Sequence, residues 1–216
     1  MAQRDAAWRR ERLTASRLYV CTPLRDDLGA FLPGVLAAGV DVIQLRDKHA
    51  PRAAQTRAAA TFCEFAQDHG ALFVVNDDPA LAAEVGADGV HVGQEDATVA
   101  DARAAVGAHR LVGRSTHSPR QAAAALTTDA DYLAIGPVHG TPTKAGREPI
   151  GLQPVGEVTA MADRPCFVTG AMGPDTIGEA SAAGARRFVV VRAIIEAADP
   201  AAAARAVRAA IAAAAP

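Results

Sequence analysis

Short runs of Val, Ile, Leu and Phe alternate with longer Ala-rich helical stretches from one end of the chain to the other. The apolar runs predict strands at 17–22, 42–46, 72–76, 89–92, 111–115, 132–136, 166–169 and 188–192. Between them lie segments long enough for one helix each, among them 52–69, 119–127 and 175–183, and 200–214 gives a last Ala-rich helix. Strands alternating with helices imply parallel strands joined by right-handed crossovers. Eight such units in one chain of this length point to an α/β fold, a (β/α)8 TIM barrel. A doubly wound open sheet shares the pattern, because periodicity does not see closure. Residues 1–16 are charged throughout and read as an N-terminal extension, an extra helix or a loose arm, before a single barrel domain at 17–216. An echo recurs inside that domain. Ala38-Gly39-Val40-Asp41, Val85-Gly86-Ala87-Asp88 and Ala183-Gly184-Ala185-Arg186 each read as a helix ending on a C′ glycine, with a strand soon after. Asp129-Ala130-Asp131 resembles them without the glycine.

Composition narrows the picture. Half of the residues are hydrophobic but only 4% are aromatic, so the core is built from Ala, Val, Leu and Ile. A formal net charge of −2 gives no basic surface for nucleic acid, and any anion site must be local. Cys21, Cys63 and Cys166 form no CxxC pair and sit in apolar stretches, which reads as free, packed thiols in a reducing compartment. With no signal-peptide pattern and no long apolar run, a cytoplasmic location and no membrane partner are expected. An Ala-rich outer helix face suits both solvent and a homo-oligomer interface, so the oligomeric state stays open.

In parallel strands both faces are normally apolar. Polar residues within or just after a strand are therefore the informative ones, and barrels carry their chemistry at the C-terminal strand ends. In Val42-Ile43-Gln44-Leu45-Arg46-Asp47-Lys48, alternation puts Gln44, Arg46 and Lys48 on one face and Ile43 and Leu45 on the other. With Ile43 and Leu45 against the helices, the amide and both cations point into the barrel mouth. Two convergent cations suit a phosphorylated ligand, or an interior ion pair with a neighbouring strand. Asp77 and Asp96, at the ends of the third and fourth strands, suit Mg²⁺, which takes one or two carboxylates plus substrate phosphates. Both Asp78 and Asp96 also read as helix N-caps. Ser115 could bond a ligand oxygen, Ser118-Pro119 starts a helix, and His117 beside it is either an acid–base group or structural. Thr141-Pro142-Thr143-Lys144 lies in a Gly/Pro-rich loop whose amides, hydroxyls and ammonium could wrap a phosphate, or which could be a surface loop or lid. Thr169-Gly170-Ala171-Met172-Gly173-Pro174 opens a helix N-terminus, an anion site by geometry. Arg192 could clamp the same anion or pair with a surface acid.

These segments, in this order, together with Gly89-Val90-His91-Val92-Gly93-Gln94-Glu95-Asp96, resemble the thiamine phosphate synthases over roughly residues 18–194. The resemblance implies a transferase that condenses 4-amino-5-hydroxymethyl-2-methylpyrimidine diphosphate with 4-methyl-5-(2-phosphooxyethyl)thiazole, releasing diphosphate with help from Mg²⁺. It implies that Gln44, Arg46, Lys48, Asn76, Ser115 and Lys144 hold the pyrimidine diphosphate, with Lys48, Ser115 and Lys144 as the catalytic candidates. Asp77 and Asp96 would ligate Mg²⁺. Thr141, Thr143, Ala171, Val191 and Arg192 would line the thiazole phosphate site. Its partners would be small phosphorylated molecules. The chain departs from the family at Ala171, where a Gly-Gly-Ile stretch is usual, and at Arg192, where Ser is usual. If backbone amides bind there, Ala171 is expected to keep a negative φ. A thiazole tautomerase of the same barrel type and a non-catalytic thiamine phosphate sensor are the alternatives. The paired carboxylates and cations argue against both.

Overall fold

The computed structural model describes residues 4–140 and 148–214. Eight parallel strands close into a barrel in chain order. They are β1 (Leu18–Thr22), β2 (Val42–Leu45), β3 (Leu72–Asn76), β4 (Gly89–Val92), β5 (Leu111–Thr116), β6 (Tyr132–Ile135), β7 (Cys166–Val168) and β8 (Phe188–Val190). Helix α1 (Ala6–Ala15) precedes them. Helices α2 (Leu28–Ala37), α3 (Arg52–Asp68), α4 (Pro79–Glu84), α5 (Val99–Val106), α6 (Pro119–Leu126), α7 (Gln153–Met161) and α8 (Pro174–Ala182) follow β1 to β7 in turn. The short α9 (Arg192–Ile195) and α10 (Pro200–Ala213) follow β8. Pairing of Leu18 with Phe188 and Tyr19 with Val189 closes the ring, so the sheet is a barrel and not the open alternative. None of the described helices is long and apolar enough to cross a membrane.

Each strand is buried on both faces, as parallel strands covered by helices must be. Tyr19, Val42, Leu72, Leu111, Tyr132 and Phe167 fill the interior. Their neighbours Val20, Ile43, Phe73, Val112, Leu133 and Val168 pack against the helices. Three aromatics stand inside, where Phe167 meets the edges of Tyr19 and Tyr132 at centroid distances of 5.3 and 5.7 Å. Gly113 on β5 makes room for this cluster, since a Cβ there would run into the Tyr132 ring. The three cysteines are free. Burial pushes the Cys63 thiol up to about 11 and that of Cys166 up to about 12, which fits packing groups and not nucleophiles.

Helix α1 covers the N-terminal end of the barrel. Its Leu13 is buried among the interior side chains, and its arginines meet the aspartates of the sequence echo. Arg12 pairs with Asp41 at 3.0 Å, Arg9 with Asp88 at 2.9 Å and Arg10 with Asp131 at 3.0 Å. Arg4, just before the helix, reaches Asp88 at 2.5 Å. The same carboxylates accept backbone N–H groups: Asp41 from Arg17 and Leu18, Asp88 from Phe73, Asp131 from Val112. The echo is thus a repeated anchor that fixes a strand start and holds the floor helix. Its glycines, Gly39, Gly86 and Gly184, have φ of 97°, 71° and 105°, the left-handed turn after a helix that a Cβ would oppose. The last echo carries arginines instead, and Arg187 donates to Thr14 O of α1.

Candidate active site

At the opposite end, where the strands finish, a cavity of about 710 Å³ is lined by Gln44, Arg46, Lys48, Asn76, Asp77 and Asp96 on one side. Ser115 and His117 stand in the middle, and Ala171, Val191 and Arg192 line the far wall. Alternation in β2 brings Gln44 inward, and the chain continues past Leu45 so that Arg46 and Lys48 follow on the same side. Cys21, assigned to packing by its apolar neighbours, also reaches the cavity floor.

The carboxylates meet. Asp77 and Asp96 share a side-chain hydrogen bond, and Lys48 Nζ lies 2.8 Å from Asp77 Oδ2. Burial pushes the Asp77 carboxyl above its ordinary range, and the contact with Asp96 adds to this against the pull of Lys48. Burial acts the same way on Asp96, but the bond from Asp77, the Gly93 N–H at 2.8 Å, Lys48 and Arg114 outweigh it and hold that carboxyl low. Two carboxylates held this close repel unless a proton or a cation lies between them. Among the described residues no group of three or more His, Cys, Asp and Glu side chains gathers to enclose a metal. Two hard oxygen donors beside a phosphate-sized space suit Mg²⁺, which keeps waters and takes phosphate oxygens for its other positions.

Backbone geometry supports this placement. Asp77 sits at φ 63° and donates its N–H to His91 O at 2.8 Å, which ties the end of β3 to β4. Asp78 caps α4 by accepting from Leu81 N at 2.8 Å, as the spacing predicts. Asp96 does not cap the next helix. Thr98 takes that role on α5, accepting from Asp101 N, because two further residues separate Asp96 from the first helical turn. The carboxyl is therefore free to face Asp77. Arg114 donates to Gly93 O at 2.6 Å and steadies the loop that carries Asp96.

The far wall combines the first turn of α8 with Val191 and Arg192. Ala171 has φ 49°, contrary to the negative value expected of it. The turn from β7 into α8 requires a left-handed residue there, and alanine is held in it at a cost of about 1–2 kcal/mol. Arg192 makes no ion pair with another described residue, whereas Lys48 does pair across strands. Ser118 caps α6. His117 Nδ1 contacts Gly136 O at 2.5 Å and its backbone N–H donates to Gln121 Oε1, a structural setting at the cavity edge. Thr141, Thr143 and Lys144 lie outside the described residues.

Strand pattern alone does not single out a buried polar chain beneath the cavity. Gln44 Nε2 donates to Tyr19 OH (2.8 Å), which contacts Tyr132 OH (3.0 Å). Tyr132 OH contacts His91 Nδ1 (3.2 Å), and His91 Nε2 contacts Ser115 Oγ (2.9 Å). Burial raises the pKa of both phenols, so they stay protonated. The inward position of His91 between Val90 and Val92 is readable from alternation. Its partners on β1 and β6 are not, since they depend on how the barrel closes.

The sequence model described as thiamine monophosphate synthase matches residues 18–194. A thiamine-phosphate synthase of Gloeobacter violaceus is 46% identical over 191 residues, 88% of this chain and 56% of that protein. One of Thermobifida fusca is 47% identical over 200 residues, 90% of this chain and 92% of the relative. The chain thus spans little more than half of the first relative and nearly all of the second. A solved structure, the thiamine phosphate pyrophosphorylase of Pyrococcus furiosus, superposes with a TM-score of 0.84 at 28% identity, covering 96% of this chain and 99% of that one. Likeness in sequence and in fold agrees with a mouth that pairs carboxylates with cations, and the chain belongs to the thiamine monophosphate synthase family.

Proposed function

We propose that the chain makes thiamine phosphate by joining 4-amino-5-hydroxymethyl-2-methylpyrimidine diphosphate to 4-methyl-5-(2-phosphooxyethyl)thiazole, with release of diphosphate. The observation that carries this reading is the convergence of Arg46, Lys48, Asp77 and Asp96 on one cavity whose opposite wall is a helix N-terminus. Arg46 and Lys48 neutralise the diphosphate, Asn76 and Ser115 bond its oxygens, and Gln44 faces the pyrimidine. Lys144, in the loop outside the described residues, joins the same group, with Lys48, Ser115 and Lys144 the catalytic set. Thr141 and Thr143 from that loop, with Ala171, Val191 and Arg192, hold the thiazole phosphate through backbone N–H groups and the guanidinium. Residues 17–216 act as one barrel domain bearing the site, with α1 of the N-terminal extension 1–16 against its floor.

Asp77 and Asp96 are the residues that would hold Mg²⁺. When bound, the ion adds positive charge beside the diphosphate as negative charge develops on it. The bond from the pyrimidine methylene to the diphosphate oxygen breaks, and the ring amino group stabilises the resulting cation. The thiazole nitrogen, fixed by its phosphate on the far wall, then forms the new bond. The protein's part is to neutralise the leaving group and position the acceptor. A tautomerase or a sensor has no use for the paired carboxylates.

Both products are followed in one reaction containing both substrates. Equal formation of thiamine phosphate and diphosphate is expected. Binding of the thiazole phosphate without either product contradicts the reading and favours a tautomerase or a sensor.

A further inference from the structure

We propose that Tyr19, Tyr132 and His91 form a one-way hydrogen-bond chain that presents Gln44 to the substrate as an acceptor and Ser115 as a donor. His91 is thereby a positioning residue that donates to Ser115, not a base that activates it.

The direction follows from the Gln44 amide, whose nitrogen faces Tyr19. Gln44 Nε2 is a donor, so Tyr19 OH accepts from it. Tyr19 is almost fully buried, and its own proton has Tyr132 OH as acceptor. Tyr132 OH, having accepted from Tyr19, gives its proton to His91 Nδ1. With Nδ1 an acceptor, a neutral His91 carries its hydrogen on Nε2 and donates to Ser115 Oγ. With the Gln44 nitrogen facing Tyr19, the reverse direction would leave the Tyr19 proton buried without an acceptor, at about 1–3 kcal/mol. Both ends of the chain line the cavity. The Gln44 amide spends one Nε2 proton on Tyr19 below, which turns Oε1 to the cavity as its acceptor. The Ser115 oxygen is committed to His91, which leaves its proton to donate.

Those polarities match an amino-bearing heterocycle at Gln44 and an anionic oxygen at Ser115. A Ser–His contact with a third group on the imidazole otherwise resembles a nucleophile and its base. Here Nε2 already holds a proton and cannot take one from the hydroxyl. The chemical meaning of the two ends rests on the proposed pyrimidine diphosphate site, whereas the direction of the chain does not.

The test uses the full chain with ¹⁵N-labelled histidine and reads the His91 ring nitrogens at neutral pH, without substrate. A neutral imidazole protonated on Nε2 is expected. Tyr19→Phe keeps that tautomer, since Tyr132 can still donate to Nδ1. Tyr132→Phe lowers the Nε2–H share, and kcat falls about tenfold. In a Ser115→Ala background the same change costs about twofold or less, because its effect passes through Ser115. Both Phe variants keep the rings packed against Phe167 and so keep the fold. A proton on Nδ1, a doubly protonated ring, or a Tyr132→Phe variant with an unchanged tautomer overturns the proposal. The expected tautomers with full activity in Ser115→Ala would uphold the chain and overturn the assignment of Ser115 to the diphosphate.

Discussion

Asp77 and Ala171 are the non-glycine residues with positive φ among those described, and both line the cavity. Aspartate tolerates the left-handed region, but alanine does not. Ala171→Gly relieves about 1–2 kcal/mol of backbone strain and gives back about 0.5–1 kcal/mol to the unfolded chain's freedom. A net gain near 0.5–1 kcal/mol is expected, a rise of about 2 °C in a thermal melt. A lower melting temperature would show that the Ala171 methyl contributes packing that outweighs the strain. That strain is not legible in the sequence, because Thr169-Gly170-Ala171-Met172 does not say which residue turns left-handed. The inward aim of Gln44 is legible, since two-residue alternation sets it regardless of what lies across the barrel.

At the scale of elements, the echo before β2, β4 and β6 was readable as a repeat but not as a set of anchors. What gives it meaning is α1, whose arginines meet Asp41, Asp88 and Asp131 only once the barrel has closed. Asp88 and Arg9 are both buried, and removing one partner strands the other's charge. Asp88→Ala is therefore expected to cost about 3–5 kcal/mol in urea unfolding, far more than an exposed ion pair. A loss below about 1 kcal/mol would show that α1 merely lies against the floor. Strand positions came through well from periodicity, and several ends came out a residue or two short. Where β2, β6, β7 and β8 turn into the site loops, the expected strands run one or two residues past the observed ends, at Arg46, Gly136, Thr169 and Val191–Arg192. Asp96 was ambiguous for a related reason. A cap and a ligand look alike until the helix start is known, and the start at Val99 gives the cap to Thr98.

At the scale of the molecule, one end of the barrel is locked by buried charge pairs. The other holds charges that are only partly paired, Arg46 and Arg192 among them. That asymmetry is what a diphosphate-releasing enzyme needs: a rigid floor and a mouth whose electrostatics a substrate completes. The meeting of Asp77 with Asp96 is legible from their places at the ends of the adjacent strands β3 and β4, whereas closure of the sheet had no local signal. It follows from strands packing around the Tyr19–Phe167–Tyr132 cluster. The most direct measurement is the initial rate of thiamine phosphate formation against Mg²⁺ concentration, for the wild-type chain and Asp96→Asn, with melting temperatures recorded alongside. The wild-type rate should saturate with Mg²⁺ and vanish in a chelator. Asp96→Asn should lose at least about 100-fold in rate, in the range for removing one stabilising charge or donor at such a site, while its melting temperature holds or rises as carboxylate repulsion is relieved. A wild-type rate indifferent to Mg²⁺, or an Asp96→Asn variant as active as wild type, would contradict the assignment of the carboxylate pair to catalysis.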